Sequence, residues 1–204
     1  MFSGGTDTTA VTLEWAMAEL IKHPDAMEKA QAEVRRVVGE KSKVEEEDLH
    51  QLHYLKLIIK ETLRFHPVAP LLVPRESTRD VVIRGYHIPA KTRVFINAWA
   101  IGRDPMSWEN AEEFCPERFA HSSVDFKGQD FELIPFGAGR RSCPGIAFGI
   151  SSVELALANL LYWFNWEMPK GLTKDNLDLS EAPGFTVHMK FPLQLVPKHH
   201  FCLN

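Results

Sequence analysis

The chain has 204 residues, enough for one domain with a core of its own, and its 45% hydrophobic and 25% charged content is ordinary for a globular protein. A net charge of -4 excludes a dedicated nucleic-acid binder, because neutralising phosphates takes a surplus of Lys and Arg. Three cysteines, Cys115, Cys143 and Cys202, are too few and too scattered for a disulfide framework or a CxxC-type zinc site, and fit a reducing compartment.

Met1 is followed by no basic or apolar region of a signal peptide. Leu13, Met17, Leu20 and Ile21 then recur at helical spacing, and His23-Pro24 ends that helix. A second helix opens at Pro24-Asp25, carries Met27, Ala30, Val34 and Val37 on one face, and stops at Gly39. An acidic turn, Glu45 to Asp48, leads to a third helix from about His53 to Phe65, closed by His66-Pro67. Val81 to Ile83, Tyr86 to Ile88 and Thr92 to Ala98 read as short strands.

Residues 103 to 142 are rich in turn formers and poor in periodicity, which in a compact domain points to function. A long helix is expected from about Pro144 to Asn165, and Thr186 to Val196 as a final hairpin. The apolar stretch Val153 to Phe164 is about a dozen residues against the roughly 20 of a bilayer span, so it reads as a buried helix. The fold class is mainly α with a minor β-sheet, and residues 1–204 read as one unit without repeats or linkers.

The chemistry concentrates in Phe136-Gly137-Ala138-Gly139-Arg140-Arg141-Ser142-Cys143-Pro144-Gly145. Glycines let the backbone approach a flat or bulky ligand, and the guanidinium of Arg141 suits a carboxylate. Cys143 falls just before a helix whose first residue would be Pro144, and the positive end of a helix stabilises a thiolate. Three readings compete: a structural cysteine in a turn; a phosphate cradle, with Phe131 to Phe136 as a strand leading into Gly137-Ala138-Gly139; and a haem ligand. The cradle lacks its third glycine, since Ser142 stands there, and no βαβ unit surrounds it.

This loop resembles that of the cytochrome P450 family, F-x-x-G-x-R-x-C-x-G, with Phe136, Gly139, Arg141, Cys143 and Gly145 at its five fixed positions. Chance would supply such a match on the order of once in ten thousand chains of this length. Further motifs follow the family's order. Glu61-Thr62-Leu63-Arg64 matches its E-x-x-R helix; as bare sequence, the pair at i,i+3 is a solvated surface ion pair. Pro116-Glu117-Arg118-Phe119 matches P-E-R-F, and the resemblance implies a buried Glu61–Arg64–Arg118 cluster. Gly4-Gly5-Thr6-Asp7-Thr8-Thr9 resembles the oxygen-activation motif, although Asp7 or Thr8 reads more simply as an N-cap.

The resemblance implies the C-terminal portion of the family's fold, with haem b bound through Cys143 as axial thiolate to the iron. Arg75 and Arg141 would contact the haem propionates, with Phe136, Gly137, Gly139 and Gly145 around the ligand. Asp7 and Thr8 would deliver protons, and Gly4 and Gly5 leave room for dioxygen. Ala69, Leu71 and Leu72 lie in the implied substrate-facing turn Val68 to Val73, and Phe185 in a C-terminal substrate loop, Pro183 to Thr186. Read cold, the first run is simply core. The implied activity is a plant microsomal monooxygenase acting on a small lipophilic metabolite and O2. Its electrons would come from NADPH through a separate NADPH–cytochrome P450 reductase, at the cytosolic face of the endoplasmic reticulum. Thiolate donation would favour O–O cleavage.

Family members are more than twice as long. The expectation is therefore a C-terminal fragment, with Met1 an internal methionine, the membrane anchor and W-x-x-x-R propionate contact absent, and the fragment alone inactive. The alternative is a non-catalytic remnant that does not hold haem stably. None of the nine histidines forms a spaced ligand set, and His66 and His87 read as structural.

Overall fold

Helix α1 runs unbroken over Phe2–Lys22 in the computed structural model, which describes residues 2–182 and 184–200, with the backbone alone for Phe2 and Ser3. Met1, Pro183 and Cys202 lie outside the described residues. Each helical glycine costs about 1 kcal/mol relative to alanine. The helix persists through Gly4 and Gly5 because two of its faces are buried downstream, Val11, Trp15 and Ala18 on one and Ala16, Met17 and Leu20 on the other. His23, held extended by the proline after it, stops the helix.

Helix α2 (Pro24–Val38) starts with that proline at its first position and buries Ala26, Ala30, Val34 and Val38, a strict four-residue stripe. Gly39 ends it in a left-handed conformation (φ +63°). The acidic turn proves to be a 3-10 segment, Glu46–Gln51, closed by a reciprocal capping box between Glu45 and Asp48. Helix α3 (His53–Phe65) buries Leu55, Ile58, Ile59, Thr62 and Leu63 beside two charged residues, Glu61 and Arg64, and ends before Pro67.

The sheet content is three separate antiparallel pairs. Strands β1 (Arg75–Glu76) and β4 (Arg93–Val94) pair, as do β2 (Val81–Ile83) and β3 (Tyr86–Ile88). Arg84 and Gly85, both at positive φ, make the tight β2–β3 turn, a backbone twist that matches the strands. The predicted strand Thr92 to Ala98 is shortened to two residues. Asn97 caps a short helix, α4 (Ala98–Ile101), its side chain accepting from the Ala100 N–H at 2.9 Å.

Helix α5 (Ile146–Trp163) begins two residues after Pro144 and ends two before Asn165, correcting both expected ends. By length and composition α5 suffices to cross a bilayer. It is nevertheless a core helix here: Val153, Leu157, Ala158, Leu161 and Tyr162 are buried in one cluster with residues of α1, α2 and α3. The chain leaves it as β5 (Phe164–Glu167), which pairs with β6 (Val196–His199). The expected hairpin over Thr186 to Val196 does not form. That segment crosses α1 instead, with a single bridge from Glu181 to Met189. The described chain is 43% helix and 10% strand, the mainly α class with a minor sheet.

Candidate functional site

The loop before α5 is built by backbone bonds between its own residues. The Gly137 N–H donates to Ile134 O (2.9 Å) and the Cys143 N–H to Phe136 O (2.9 Å), folding Cys143 back beside the loop's start. Gly137 and Gly139 take φ of +72° and +70°, where a side chain would be strained. The Phe136 ring packs edge-on against Phe126 and against the main core, anchoring one end. Phe131 to Phe136 forms turns rather than a strand, which removes the support that the phosphate-cradle reading required.

Cys143 is an exposed free thiol. Gly145, not Pro144, flanks α5 as its N-cap residue, so Cys143 lies two positions ahead of the cap. A Cβ at Gly145 would sit 3.7 Å from Cys143 Sγ, which keeps the sulfur close to the α5 terminus and its unpaired N–H groups. From β1, the half-buried Arg75 donates through Nη2 to the Arg141 backbone O at 2.9 Å, tying its side chain to the cysteine loop. Gly128 was legible only as a turn former. A Cβ there would meet Gly137 O at 3.1 Å and Ala138 Cα at 3.2 Å, so its bareness lets a second loop seat against the first.

Glu61, Arg64 and Arg118 meet in a buried cluster. Glu61 Oε2 accepts from Arg64 Nε (2.7 Å), while Oε1 accepts from Arg64 Nη2 (2.7 Å), Arg118 Nε (3.0 Å) and the Cys115 N–H (2.8 Å). Arg64 also donates to Gly102 O, Ala111 O and Glu113 O, and Arg118 to Glu109 O, Asn110 O and Glu113 O. The surface-pair reading of Glu61 and Arg64 fails, because both side chains are fully buried. Next to Arg118, Glu117 takes bonds from Lys29 Nζ (2.6 Å) and Tyr54 OH (2.9 Å), tying this segment to α2 and α3. Burial pushes the Glu117 carboxyl up, but those two partners outweigh it and hold it below its usual range.

On α1 neither Asp7 nor Thr8 is an N-cap, since the helix is already formed at Phe2. Thr8 Oγ1 donates to Gly4 O at 2.7 Å within the helix, and Asp7 Oδ2 accepts from Thr186 Oγ1 at 2.7 Å. Both glycines of the motif face open space. Of the substrate-facing candidates, Ala69 and Leu72 are half-buried, whereas Leu71 and Phe185 are exposed. Leu72 sits at φ +50° with Cδ1 3.9 Å from where a Gly137 Cβ would lie, so this turn reaches the cysteine loop.

His66, read from the sequence as structural, is buried, and its partners lay outside the sequence expectations. His66 Nε2 lies 2.6 Å from Glu19 Oε1, and His66 stacks on Trp15 (centroids 3.9 Å apart, 6° between planes). Burial pushes Glu19 up, but His23 and His66 outweigh it and hold the carboxyl at about 2. Nothing in the spacing of these residues announces the contact, apart from Trp15, Glu19 and His23 sharing a helix face.

The family model for cytochrome P450 matches residues 1–192. The chain is 88% identical over 200 residues to cytochrome P450 71A1 of Persea americana, covering 98% of this chain and 40% of that protein. It is 56% identical over 199 residues to the phenylacetaldehyde oxime monooxygenase CYP71AN24 of Prunus mume, covering 97% and 38%. Among solved structures, a zebrafish cytochrome P450 with abiraterone superposes with a TM-score of 0.85 at 33% identity, over 98% of this chain and 46% of that one. The chain thus spans about two fifths of the length of the curated relatives it matches. On the match over residues 1–192 and these similarities, the chain belongs to the cytochrome P450 family.

Proposed function

We propose that these residues form the haem-binding part of a monooxygenase that places one oxygen atom from O2 into a small lipophilic molecule. The observation that carries this reading is Cys143, an exposed thiol pinned through its backbone to Phe136 among three side-chain-free positions, with Arg75 and Arg141 beside it. No group of three or more His, Cys, Asp or Glu stands ready to hold an ion among the described residues. A metal at Cys143 therefore brings most of its ligands with it, as a macrocycle does. Haem fits that donor set: a soft thiolate for the iron and guanidinium groups for the propionates.

In this reading Cys143 would bind the haem iron, Arg75 and Arg141 would hold the propionates, and Phe136, Gly137, Gly139 and Gly145 would shape the surface around the ligand. Bound haem supplies the activation of dioxygen and the transfer of its oxygen atom. The chain's own residues supply space, proton handling and orientation. Gly4 and Gly5 leave room over α1. The Thr8 hydroxyl gives its hydrogen to Gly4 O and keeps its lone pairs for a passing proton, with the Asp7 carboxylate one residue away. Ala69, Leu71, Leu72 and Phe185 offer apolar surface that orients substrate and excludes water. The Glu61–Arg64–Arg118 cluster holds residues 102–118 rigid.

The electrons would come from NADPH through a flavoprotein reductase, and the longer protein would sit at the cytosolic face of the endoplasmic reticulum by an N-terminal anchor. A plant secondary metabolite is the substrate class, supported by plant relatives, one of them bearing the name of a phenylacetaldehyde oxime monooxygenase. The test joins this chain to the N-terminal portion of the Persea americana relative and records the reduced carbon-monoxide spectrum. A red-shifted Soret band that Cys143→Ala abolishes is expected; a band that survives the substitution refutes the ligand assignment.

A second reading has its own observation. Leu71, Val73, Phe95, Ile96, Trp99, Phe131 and Phe148 are each exposed. Their exposure favours a remnant in which the 204 residues by themselves keep the ligand loop but do not retain haem, and the same spectrum on the chain alone decides.

A further inference from the structure

We propose that Thr186 is the positioning residue of Asp7, so that the C-terminal segment sets the orientation of the proton-handling carboxylate on α1. The inference rests on the reading of Asp7 given above and assigns the side chain that holds it.

An aspartate on an exposed helix position ordinarily moves among rotamers in water. Asp7 forms no ion pair among the described residues, so charge pairing does not fix it. Thr8, its neighbour in the motif, is no help, because its single hydroxyl hydrogen already goes to Gly4 O. Among the described residues, the side-chain donor that reaches the carboxylate is Thr186 Oγ1, at 2.7 Å from Oδ2. An O–H bond to a carboxylate is charge-assisted and stronger than a neutral one.

Thr186 is a firm donor because the chain around it is fixed on several sides. The next residue spends both backbone groups, Val187 N–H on Val68 O (2.9 Å) and Val187 O on Trp15 Nε1 (3.0 Å). Met189 is buried among Val11, Trp15, Ala18 and Val68. Further on, the Leu193 N–H bonds Glu14 Oε1 at 3.1 Å. On the other side Gly184 is folded so tightly that a Cβ there would meet Thr186 O at 2.7 Å. Asp7, Val11, Glu14, Trp15 and Ala18 are spaced by three and four, so residues 186–193 lie along one face of α1 like a strap. Thr186 is its last grip, and the exposed Phe185, the proposed substrate contact, is its immediate neighbour. Displacement of Phe185 is thereby felt at Asp7.

The test is a double-mutant cycle with a conservative rescue. Thr186→Val removes the donor and keeps the shape, and Thr186→Ser keeps the donor. In the joined protein with reductase and NADPH, and no added organic substrate, oxygen consumption should fall about tenfold in Thr186→Val, the loss expected of one hydrogen bond to a charged group. Thr186→Ser should recover most of it. Asp7→Asn should lower it too, and Thr186→Val should add nothing in that background, because coupled residues are not additive. The carbon-monoxide spectrum should be the same in all four.

A second readout needs no haem. Amide exchange over 184–193, followed in the joined protein and in the chain alone, should quicken equally in Thr186→Val, in Asp7→Ala, which removes the acceptor, and in their double variant. Wild-type rates in Thr186→Val, or full additivity with the Asp7 variant of either cycle, overturn the proposal. Absence of a haem-thiolate spectrum in the joined wild type overturns the functional reading instead, and the exchange cycle then decides on Thr186 by itself.

Discussion

Removing the carboxylate of Glu61 strands a buried charge. Glu61→Ala deletes an acceptor of four hydrogen bonds, two from Arg64, one from Arg118 and one from the Cys115 N–H. The guanidinium of Arg64, fully buried, keeps its three carbonyl partners but loses its counter-charge. Breaking a buried pair from one side costs about 3–5 kcal/mol, and an orphaned amide adds at least about 1. Set against a total stability of about 5–15 kcal/mol, this leaves little native state. Apolar replacement of all three residues offers no escape, because Gly102, Glu109, Asn110, Ala111 and Glu113 would lose the donors on their carbonyls. With a urea slope of about 2 kcal/mol per molar, the unfolding midpoint followed by circular dichroism should drop by about 2 M. An unchanged slope and a midpoint within about 0.5 M of wild type would refute the assignment of a stranded charge.

Gly128→Ala should cost about 1–3 kcal/mol, combining the strain of φ +82° with contacts to Gly137 O and Ala138 Cα, and should lower the haem retained per chain. Equal haem content and equal unfolding midpoint would show that the two loops move apart freely. The Glu19 cluster predicts a pH window. The Glu19 carboxyl, held at about 2 instead of its usual 4.5, contributes stability above pH 4.5 that is lost as pH falls toward 2. His23 is raised above its usual 6.5, chiefly by its bond to Glu19, so its contribution is complete below pH 6.5 and fades as pH rises through the raised value. The stability difference between wild type and Glu19→Gln should therefore be largest between pH 4.5 and 6.5; a difference that keeps growing above that range contradicts the His23 assignment.

The helices were legible because their signals are local. The face expected of α2, Met27, Ala30, Val34 and Val37, holds at Ala30 and Val34, while Ala26 and Val38 complete the buried stripe and Met27 and Val37 flank it half-buried; His23-Pro24 and His66-Pro67 mark the stops. The cysteine loop was legible for the same reason, since its glycines, arginines and thiol stand within ten residues of one another. What failed was long-range. Phe164 and Asn165 read as the end of α5 until the partner strand Val196–His199 takes them. Thr92 to Ala98 alternates like a strand, but Asn97 caps a helix there instead. Asp7 looks like a cap because its true partner, Thr186, lies at the other end of the chain. Glu61 and Arg64 are a surface pair by spacing alone, and only the carbonyls of residues 102–113 bury them.

The strap along α1 also bears on the order in which this chain acquires its structure during synthesis. Its three polar grips join residues 172 to 179 positions apart, so α1 is synthesised long before the strap that covers it. Contacts of such separation form slowly and last. Until residues 186–193 emerge, the Val11–Trp15–Ala18 stripe has no cover from Met189, and the nascent chain presents it to whatever chaperone or neighbour is near. Truncation before Thr186 would take away all three grips together with Met189 and leave that stripe bare.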